Sequence, residues 1–276
     1  DAHHAPAPQR QRHGPPVIFV KIATWNVNSL KVRLPQVLEW LGSEQPDVLC
    51  LQETKLADAR FPVAELADAG YRALYHGQPT YNGVAILSRT PPSDVRCDWP
   101  DGGDGQARLC AASFGDLRVV NVYVPNGQAL DSDKYPYKLQ WLERLRGLIA
   151  GELQGWPQLL LVGDFNIAPD TRDVYDAADW GEGILCSAPE RAALGALLEL
   201  GLHDSYRKLH PDGRAWSWWD YRAAAFRRNQ GLRIDLILAS SPVLSRTRDV
   251  VIDRAARAAE RPSDHAPVCI TLESGA

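Results

Sequence analysis

Apolar and polar positions along the chain change period many times, and each change marks an element. Residues 17–25 (VIFVKIATW) are apolar and β-branched and read as a strand. Over 31–43 the apolar positions fall at 34, 37, 38 and 41, a helical spacing. DVLCLQ (47–52) is a short buried strand, and 61–70 reads as a helix ending at Gly70. YRALYH (71–76), GVAILS (83–88), RLCAASF (108–114) and LRVVNVYV (117–124) read as successive strands between turns. Leu139, Leu142, Leu145 and Ile149 form one stripe of a helix over 134–150. QLLLVGDFN (158–166) is an apolar strand running into an acidic loop, and 188–200 is an amphipathic helix. Further strands are expected near 215–219, 232–239, 248–253 and 265–272.

Strands outnumber helices, and helices fall between groups of strands. Two sheets packed face to face with helices outside would satisfy this order. Residues 1–16 carry four prolines and three histidines with almost no large apolar side chain, and read as a flexible tail. A metal-binding role for His3, His4 and His13 is the weaker reading of that stretch. No linker rich in Pro, Gly or Ser divides 17–276, so one domain is expected, and no solenoid repeat is present.

Composition narrows the class. Hydrophobic residues make up 45% of 276, enough for a large core, so disorder is excluded for most of the chain. The longest apolar stretches are a handful of residues, far short of a membrane span, and no secretory signal opens the chain. The five cysteines (50, 97, 110, 186, 269) are scattered with no CxxC spacing, which argues against a zinc knuckle or a disulfide framework. Cys50 and Cys269 sit in apolar runs as small core residues, and a reducing compartment is the simplest setting. The net charge of −4 argues against coating nucleic acid by bulk charge, but not against a local basic cleft.

Several buried-looking strands end abruptly in carboxylate or carboxamide groups. Asn26 ends the first, Glu53 the second, and Asp164 and Asn166 a later one; Asp235 opens a late strand, and Asp264 and His265 open the last. Alone, each has an ordinary reading: a solvated loop residue, a Gly-Asp turn, an N-cap beside a histidine. Together they point to strand tips converging on one polar cleft, because acidic groups beside apolar runs are costly unless paired or bound to a cation. Oxygen donors favour a hard cation such as Mg²⁺ or Mn²⁺, and an Asp–His pair can hold an imidazole in one tautomer. That set suits metal-assisted hydrolysis of a phosphoester.

The chain resembles exodeoxyribonuclease III and the apurinic/apyrimidinic endonucleases. The resemblance rests on TWNVNSL (24–30), LQETK (51–55), GDFNIAP (163–169), GLRIDLILAS (231–240) and SDHAPV (263–268). YHG (75–77), GVAILSR (83–89) and WSWWDYR (216–222) agree with it, and the match runs from about residue 19 to 272. It implies a four-layer α/β sandwich and a Mg²⁺-dependent nuclease, with Mn²⁺ as a substitute. By resemblance, Glu53 is the principal metal ligand, with Asn26 and Asp264 completing the sphere. Asp164 orients or deprotonates the attacking water, and Asn166 holds it and contacts a phosphate oxygen. His265 donates to the scissile phosphate with Asp235 fixing its orientation, and Tyr123 contacts the phosphate. One ion or two can serve such a site; with two, Asp164, Asn166 and His265 become ligands.

Between 207 and 233 the local charge is +5, with Trp216, Trp218, Trp219 and Tyr221 interleaved, a texture that suits a phosphate backbone and unstacked bases or sugars. If this segment is a strand, Trp216 and Trp218 share one face and Trp219 is core. The resemblance implies that Trp218, Leu232 and Ile234 line an apolar pocket for a base-free deoxyribose, that Asn229 contacts a nearby phosphate, and that Tyr81 is a DNA-contacting loop residue. The expected partner is double-stranded DNA with abasic sites or 3′ ends, acted on by a monomer in the bacterial cytoplasm, away from membranes. Two other readings are a family phosphatase acting on inositol phosphates or sphingolipids, and a DNA-binding relative without catalysis. The first lacks an amphipathic membrane segment, and the second should have lost one of Glu53, Asp164, Asp264 or His265.

Overall fold

The computed structural model describes residues 18–274. The readings made for 1–16 therefore lie outside the described residues. Twelve strands are described: β1 Phe19–Asn26, β2 Val48–Gln52, β3 Arg72–His76, β4 Val84–Ser88, β5 Ser93–Cys97, β6 Leu109–Phe114, β7 Leu117–Tyr123, β8 Leu159–Asp164, β9 Leu202–Asp204, β10 Asp235–Ser240, β11 Thr247–Ile252 and β12 Val268–Glu273. They build two six-stranded mixed sheets, ordered β11-β12-β1-β2-β4-β3 and β5-β6-β7-β8-β10-β9.

Burial on both faces of each sheet explains the continuous apolar runs. Ile22, Cys50 and Ile86 from the first sheet meet Cys110, Val119, Leu160 and Ile237 from the second in the central layer. On the outer face of the first sheet, Trp25, Leu49, Leu51 and Leu87 pack under α1 (Leu30–Glu44) and α2 (Val63–Asp68). On the outer face of the second, Val120, Leu161 and Leu236 pack under Trp141, Leu145 and Leu194. Those side chains come from α3 (Lys134–Gly155) and, past the short α4 (Ala177–Trp180), from α5 (Ala188–Leu198). Short helices α6 (Ser205–Leu209), α7 (Ser241–Ser245) and α8 (Arg254–Arg257) complete the connections. Helix, sheet, sheet, helix is the four-layer sandwich that the sequence implies. Among the described residues no helix is long and apolar enough to cross a membrane.

Helix ends follow local chemistry. Ser29 caps α1 by accepting from Val32 N, and Ser187 with Glu190 forms a capping box at α5. Three differences from the sequence reading have physical causes. β5 was not expected because it is a largely exposed edge strand without an apolar alternation, and β9 has only three residues. The strand expected at 215–219 is instead a pair of isolated bridges, from Trp218 to Leu232 and to His265. Without strand periodicity the expected shared face of Trp216 and Trp218 also fails, although Trp219 is core as expected. Trp216 is buried with Trp219, Ala225 and Ala266, while Trp218 packs in a different cluster.

Candidate active site

β1 and β2 are parallel, with Asn26 opposite Gln52, so Asn26 and Glu53 leave the first sheet at the same end. The chain then turns sharply, with Glu53 at φ 50 and Lys55 at φ 54, left-handed positions that stop an extended strand. Gly83 makes room for this turn: its φ is +95, and a Cβ there would lie 2.1 Å from Thr54 Oγ1. In the second sheet Asp164 stands opposite both Tyr123 on β7 and Asp235 on β10, which sets three polar residues in a row at the ends of these interior strands.

At the site the Asn26 carboxamide joins the two sheets. Asn26 Nδ2 donates to Glu53 Oε1 at 2.9 Å and to Asp164 Oδ2 at 2.8 Å. Its own oxygen accepts the Asn28 backbone N–H at 2.9 Å. As oriented, Asn26 thus offers N–H to the carboxylates and keeps its oxygen for the backbone. His265 Nδ1 lies 2.8 Å from Asp235 Oδ2, and its Nε2 lies 3.7 Å from Asp164 Oδ2. Asp264 enters the network from the side: Oδ2 accepts from Trp218 Nε1 at 3.0 Å and Oδ1 from Asn28 Nδ2 at 3.1 Å. Asn166, at φ 50, donates its backbone N–H to Asp164 Oδ1 at 2.9 Å and accepts from Asn126 Nδ2 at 3.2 Å.

The electrostatics follow from burial among like charges. Burial, then Asp235 and Glu53, push the Asp164 carboxyl up to about 7, against the pull of His265 and Asn26. Burial disfavours the His265 imidazolium, but Asp235, Asp164 and Asp264 outweigh it and push its pKa up to about 10. Burial and the neighbouring Glu53 and Asp164 hold the Tyr123 phenol well above its ordinary range. The guanidinium of Arg108 stacks 4.6 Å from the Tyr123 ring.

The donor set fits a hard divalent cation. Glu53, Asp164 and His265 bring one ligand atom each within 4.8 Å of one another. Two of the three are carboxylates, and the imidazole stands between Asp235 at 2.8 Å and Asp164 at 3.7 Å, carboxylates that favour its hydrogen-bond-donating form.

Beside this cluster, adjoining it at Tyr123 and Asn126, lies a cleft of about 610 Å³ lined also by Tyr81, Arg108 and Lys134, with none of Glu53, Asp164 or His265 in its wall. Tyr81 is 68% exposed on its loop. Trp218 is half-buried over Leu232 and Ile234, which lie in a cluster with Val174 and Leu185. Asn229 is exposed, and its side-chain oxygen accepts from Trp219 Nε1 at 3.3 Å. The basic stretch is less available than its charge count suggests. Arg233 is buried and salt-bridged to Asp173 and Asp204, and Arg207 also binds Asp173. Lys208, Arg214, Arg222, Arg227 and Arg228 remain exposed.

The sequence reading missed the residues that hold this set in place. Ser217 Oγ accepts the backbone N–H groups of Ile234 and Asp235, each at 3.0 Å. Ser263 Oγ donates to the Asn26 carbonyl at 2.6 Å, tying the two ends of the first sheet's segment. Lys138 is fully buried, and its ammonium donates to the carbonyls of Asn166 (2.6 Å) and Asn126 (3.1 Å) and to Glu190 Oε1 (2.5 Å). The one sequence signal for Lys138 is a lysine on the apolar stripe of α3, where a charge needs a partner.

The profile of the endonuclease/exonuclease/phosphatase family matches residues 23–265. Exodeoxyribonuclease III of Haemophilus influenzae is 37% identical over 262 residues, covering 90% of this chain and 98% of that one. A DNA repair nuclease of Danio rerio is 32% identical, over 92% of this chain and 82% of its own. Among solved structures, the 3′–5′ exonuclease of Neisseria meningitidis superposes with TM-score 0.91 at 49% identity, over 92% of this chain and all of that one. A 3′ phosphatase from Neisseria bound to a product DNA hairpin has the same TM-score, identity and coverage. An AP endonuclease from Archaeoglobus fulgidus follows with TM-score 0.87 at 39% identity, over 92% of this chain and all of its own. A family match over residues 23–265, relatives above 30% identity and a shared four-layer fold agree: the chain belongs to the endonuclease/exonuclease/phosphatase family.

Proposed function

We propose that this chain is a Mg²⁺-dependent DNA repair nuclease that hydrolyses the phosphodiester 5′ to abasic sites and removes nucleotides or blocking groups from DNA 3′ ends. The observation that carries the reading is the junction of Asn26 with Glu53 and Asp164, which sets an acidic pair from two sheets at 2.8–2.9 Å from one amide. Exodeoxyribonuclease III and AP endonuclease relatives support the substrate class.

Phosphodiester hydrolysis needs a water aligned opposite the leaving oxygen and positive charge on the non-bridging oxygens. Asp164 orients and deprotonates the water, its Oδ1 being fixed by the Asn166 N–H. Asn166 contacts a phosphate oxygen. The His265 imidazolium, steadied by Asp235, donates to another, and the Tyr123 phenol contacts the phosphate from the side. Glu53, with Asp164, Asp264 and Asn26 around it, would hold the ion. That ion, one or two in number and replaceable by Mn²⁺, would supply Lewis acidity at the phosphate. Trp218, Leu232 and Ile234 receive the base-free sugar, and Tyr81 and Asn229 touch flanking phosphates. Sequence preference is weak, because phosphate contacts position without specifying. The enzyme works as a monomer in the cytoplasm.

The test is incubation with Mg²⁺ and two duplexes, one with a single abasic-site analogue and one undamaged with a recessed 3′ end. Glu53→Ala and EDTA are expected to abolish cutting of both. A nick at the analogue and a ladder from the 3′ end are the expected products. Failure to cut either duplex with Mg²⁺ or Mn²⁺ overturns the reading, and release of phosphate from inositol phosphates would replace it.

A further inference from the structure

Two of the five cysteines stand directly opposite each other on neighbouring strands. Cys97 on β5 pairs with Cys110 on β6, and their sulfurs lie 2.7 Å apart as free thiols. Asp98 N donates to the Leu109 carbonyl at 3.0 Å, which makes 98/109 a hydrogen-bonded pair and leaves Cys97/Cys110 at the adjacent non-hydrogen-bonded position. There Cα atoms approach to about 4.5 Å, inside the range that a disulfide spans without backbone movement.

The two thiols are unequal. Cys110 is fully buried, whereas Cys97 is half-buried and lines a cleft of about 600 Å³ with Arg96, Arg118 and Trp156. The hydrogen bond shared with Cys110 pulls the Cys97 thiol down from its ordinary range, against its burial. Burial pushes Cys110 well up. Cys97 is therefore the accessible nucleophile and Cys110 the sheltered partner.

Their position gives the pair a consequence. They close the neck of the loop between β5 and β6, whose turn holds Gly102, Gly103 and Gly105 at positive φ. That loop returns along the cleft: the Gln106 side chain accepts from Arg108 Nε at 2.8 Å, and Arg108 stacks on Tyr123. Outside its neck it is tied down by Tyr137 on Asp104 and Arg144 on Asp101. β5 itself is an edge strand with a register shift between Ser93 and Arg96, and beside the cysteine pair the neck is held by the Asp98 N–Leu109 carbonyl hydrogen bond and by Trp99, buried against Leu109 and Trp141.

We propose that Cys97 and Cys110 are a reversible dithiol–disulfide site, oxidised by low-molecular-weight disulfides, that staples the neck of the 98–109 loop. The Cys97 thiolate attacks one sulfur of the small disulfide, forming a mixed disulfide and expelling one thiolate, which takes up the Cys97 proton. The Cys110 sulfur then attacks the Cys97 sulfur, expelling the second small thiol, which carries away the Cys110 proton. Two protein thiols are oxidised to a disulfide, and one small disulfide is reduced to two thiols.

Oxidised glutathione added to the folded full chain tests this, with peptide mapping after alkylation. A peptide linking Cys97 to Cys110, with the other three cysteines alkylated and full reversal by dithiothreitol, is the expected result. Hydrogen exchange over 98–109 should slow by about tenfold in the oxidised form. Cys110→Ala should trap a glutathione adduct on Cys97, and Cys97→Ala should leave Cys110 unmodified. Absence of the linked peptide in the wild-type chain, or its formation only in denaturant, overturns the proposal. So does glutathione capture at Cys110 in Cys97→Ala. None of these readouts depends on nuclease activity.

Discussion

The Lys138 ammonium lies 2.6 Å from the carbonyl oxygen of Asn166, a residue whose backbone N–H orients Asp164. Its counter-ion is Glu190, buried equally completely, which also accepts from the N–H groups of Leu185 and Ser187. Helices α3 and α5 thus reach under the site through one ion pair. Burial lowers the Lys138 pKa and Glu190 opposes that, so the charge depends on its partner.

Lys138→Met should therefore cost about 3–5 kcal/mol, because it leaves a buried carboxylate unpaired. Lys138→Met with Glu190→Gln should recover much of that stability in urea titration. If Lys138 positions Asn166, the double variant should still show a reduced kcat with little change in KM on the 3′-recessed duplex. Wild-type kcat in the double variant would assign the pair a purely structural role.

Ser217→Ala removes the acceptor for two buried N–H groups, those of Ile234 and Asp235. The expected cost is about 1–3 kcal/mol per orphaned donor. Loss of the Asp235 anchor should also loosen His265. NMR of the His265 ring, compared between wild type and variant, should show a lower imidazole pKa. An unchanged pKa together with unchanged stability would contradict the anchor.

Gly83→Ala tests the turn after β2. The new methyl would sit 2.1 Å from Thr54 Oγ1 at a φ of +95. Strain of about 1–3 kcal/mol is expected, released by shifting the 53–55 turn. Mn²⁺ titration followed by electron paramagnetic resonance should show weaker binding, with the effect on affinity exceeding that of Val63→Ala, an exposed helix position.

Stability in EDTA should fall with rising pH through two groups. His265 has its folded pKa raised from about 6.5 when unfolded to about 10. Its contribution is complete below the unfolded value and is lost as pH rises through the folded one. Asp164 has the same sign: raised by burial to about 7, it binds more protons folded than unfolded, so its contribution fades from the ordinary carboxylate range up to about 7. Asp235→Asn removes the carboxylate that chiefly raises the imidazole, so the decline above pH of about 7 should flatten. Urea midpoints across pH for the two proteins are the measurement, and parallel profiles above neutrality would refute this assignment.

Much of the molecule was legible in the chain because sheets buried on both faces must be written as apolar runs. VAILS, VLCLQ and LLLVG read as strands for that reason, and the amphipathic pattern over 188–200 marked the helix that the structure places at Ala188–Leu198. Asn26, Glu53, Asp164, Asp235 and His265 stood out for the same reason, as polar groups where an apolar run stops. Short edge elements such as β5 and β9 carry no such pattern, since little of β5 is buried and β9 has only three residues. The segment 215–219 was misread because bridges between loops do not impose a period of two.

What only the tertiary structure decided is how those groups meet. Asn26 and Asp164 are 138 residues apart and hydrogen-bonded, and Ser263 reaches Asn26 across 237. Which arginines are free also depended on the fold: Arg207 and Arg233 are consumed by Asp173 and Asp204, whereas Arg227 and Arg228 face solvent. The sequence determines which residues must be buried, since hydrophobic burial is local to each side chain. Pairing of charges and amides is not: its energy depends on distances of a few ångströms between groups far apart in the chain, and those exist only once both sheets are packed.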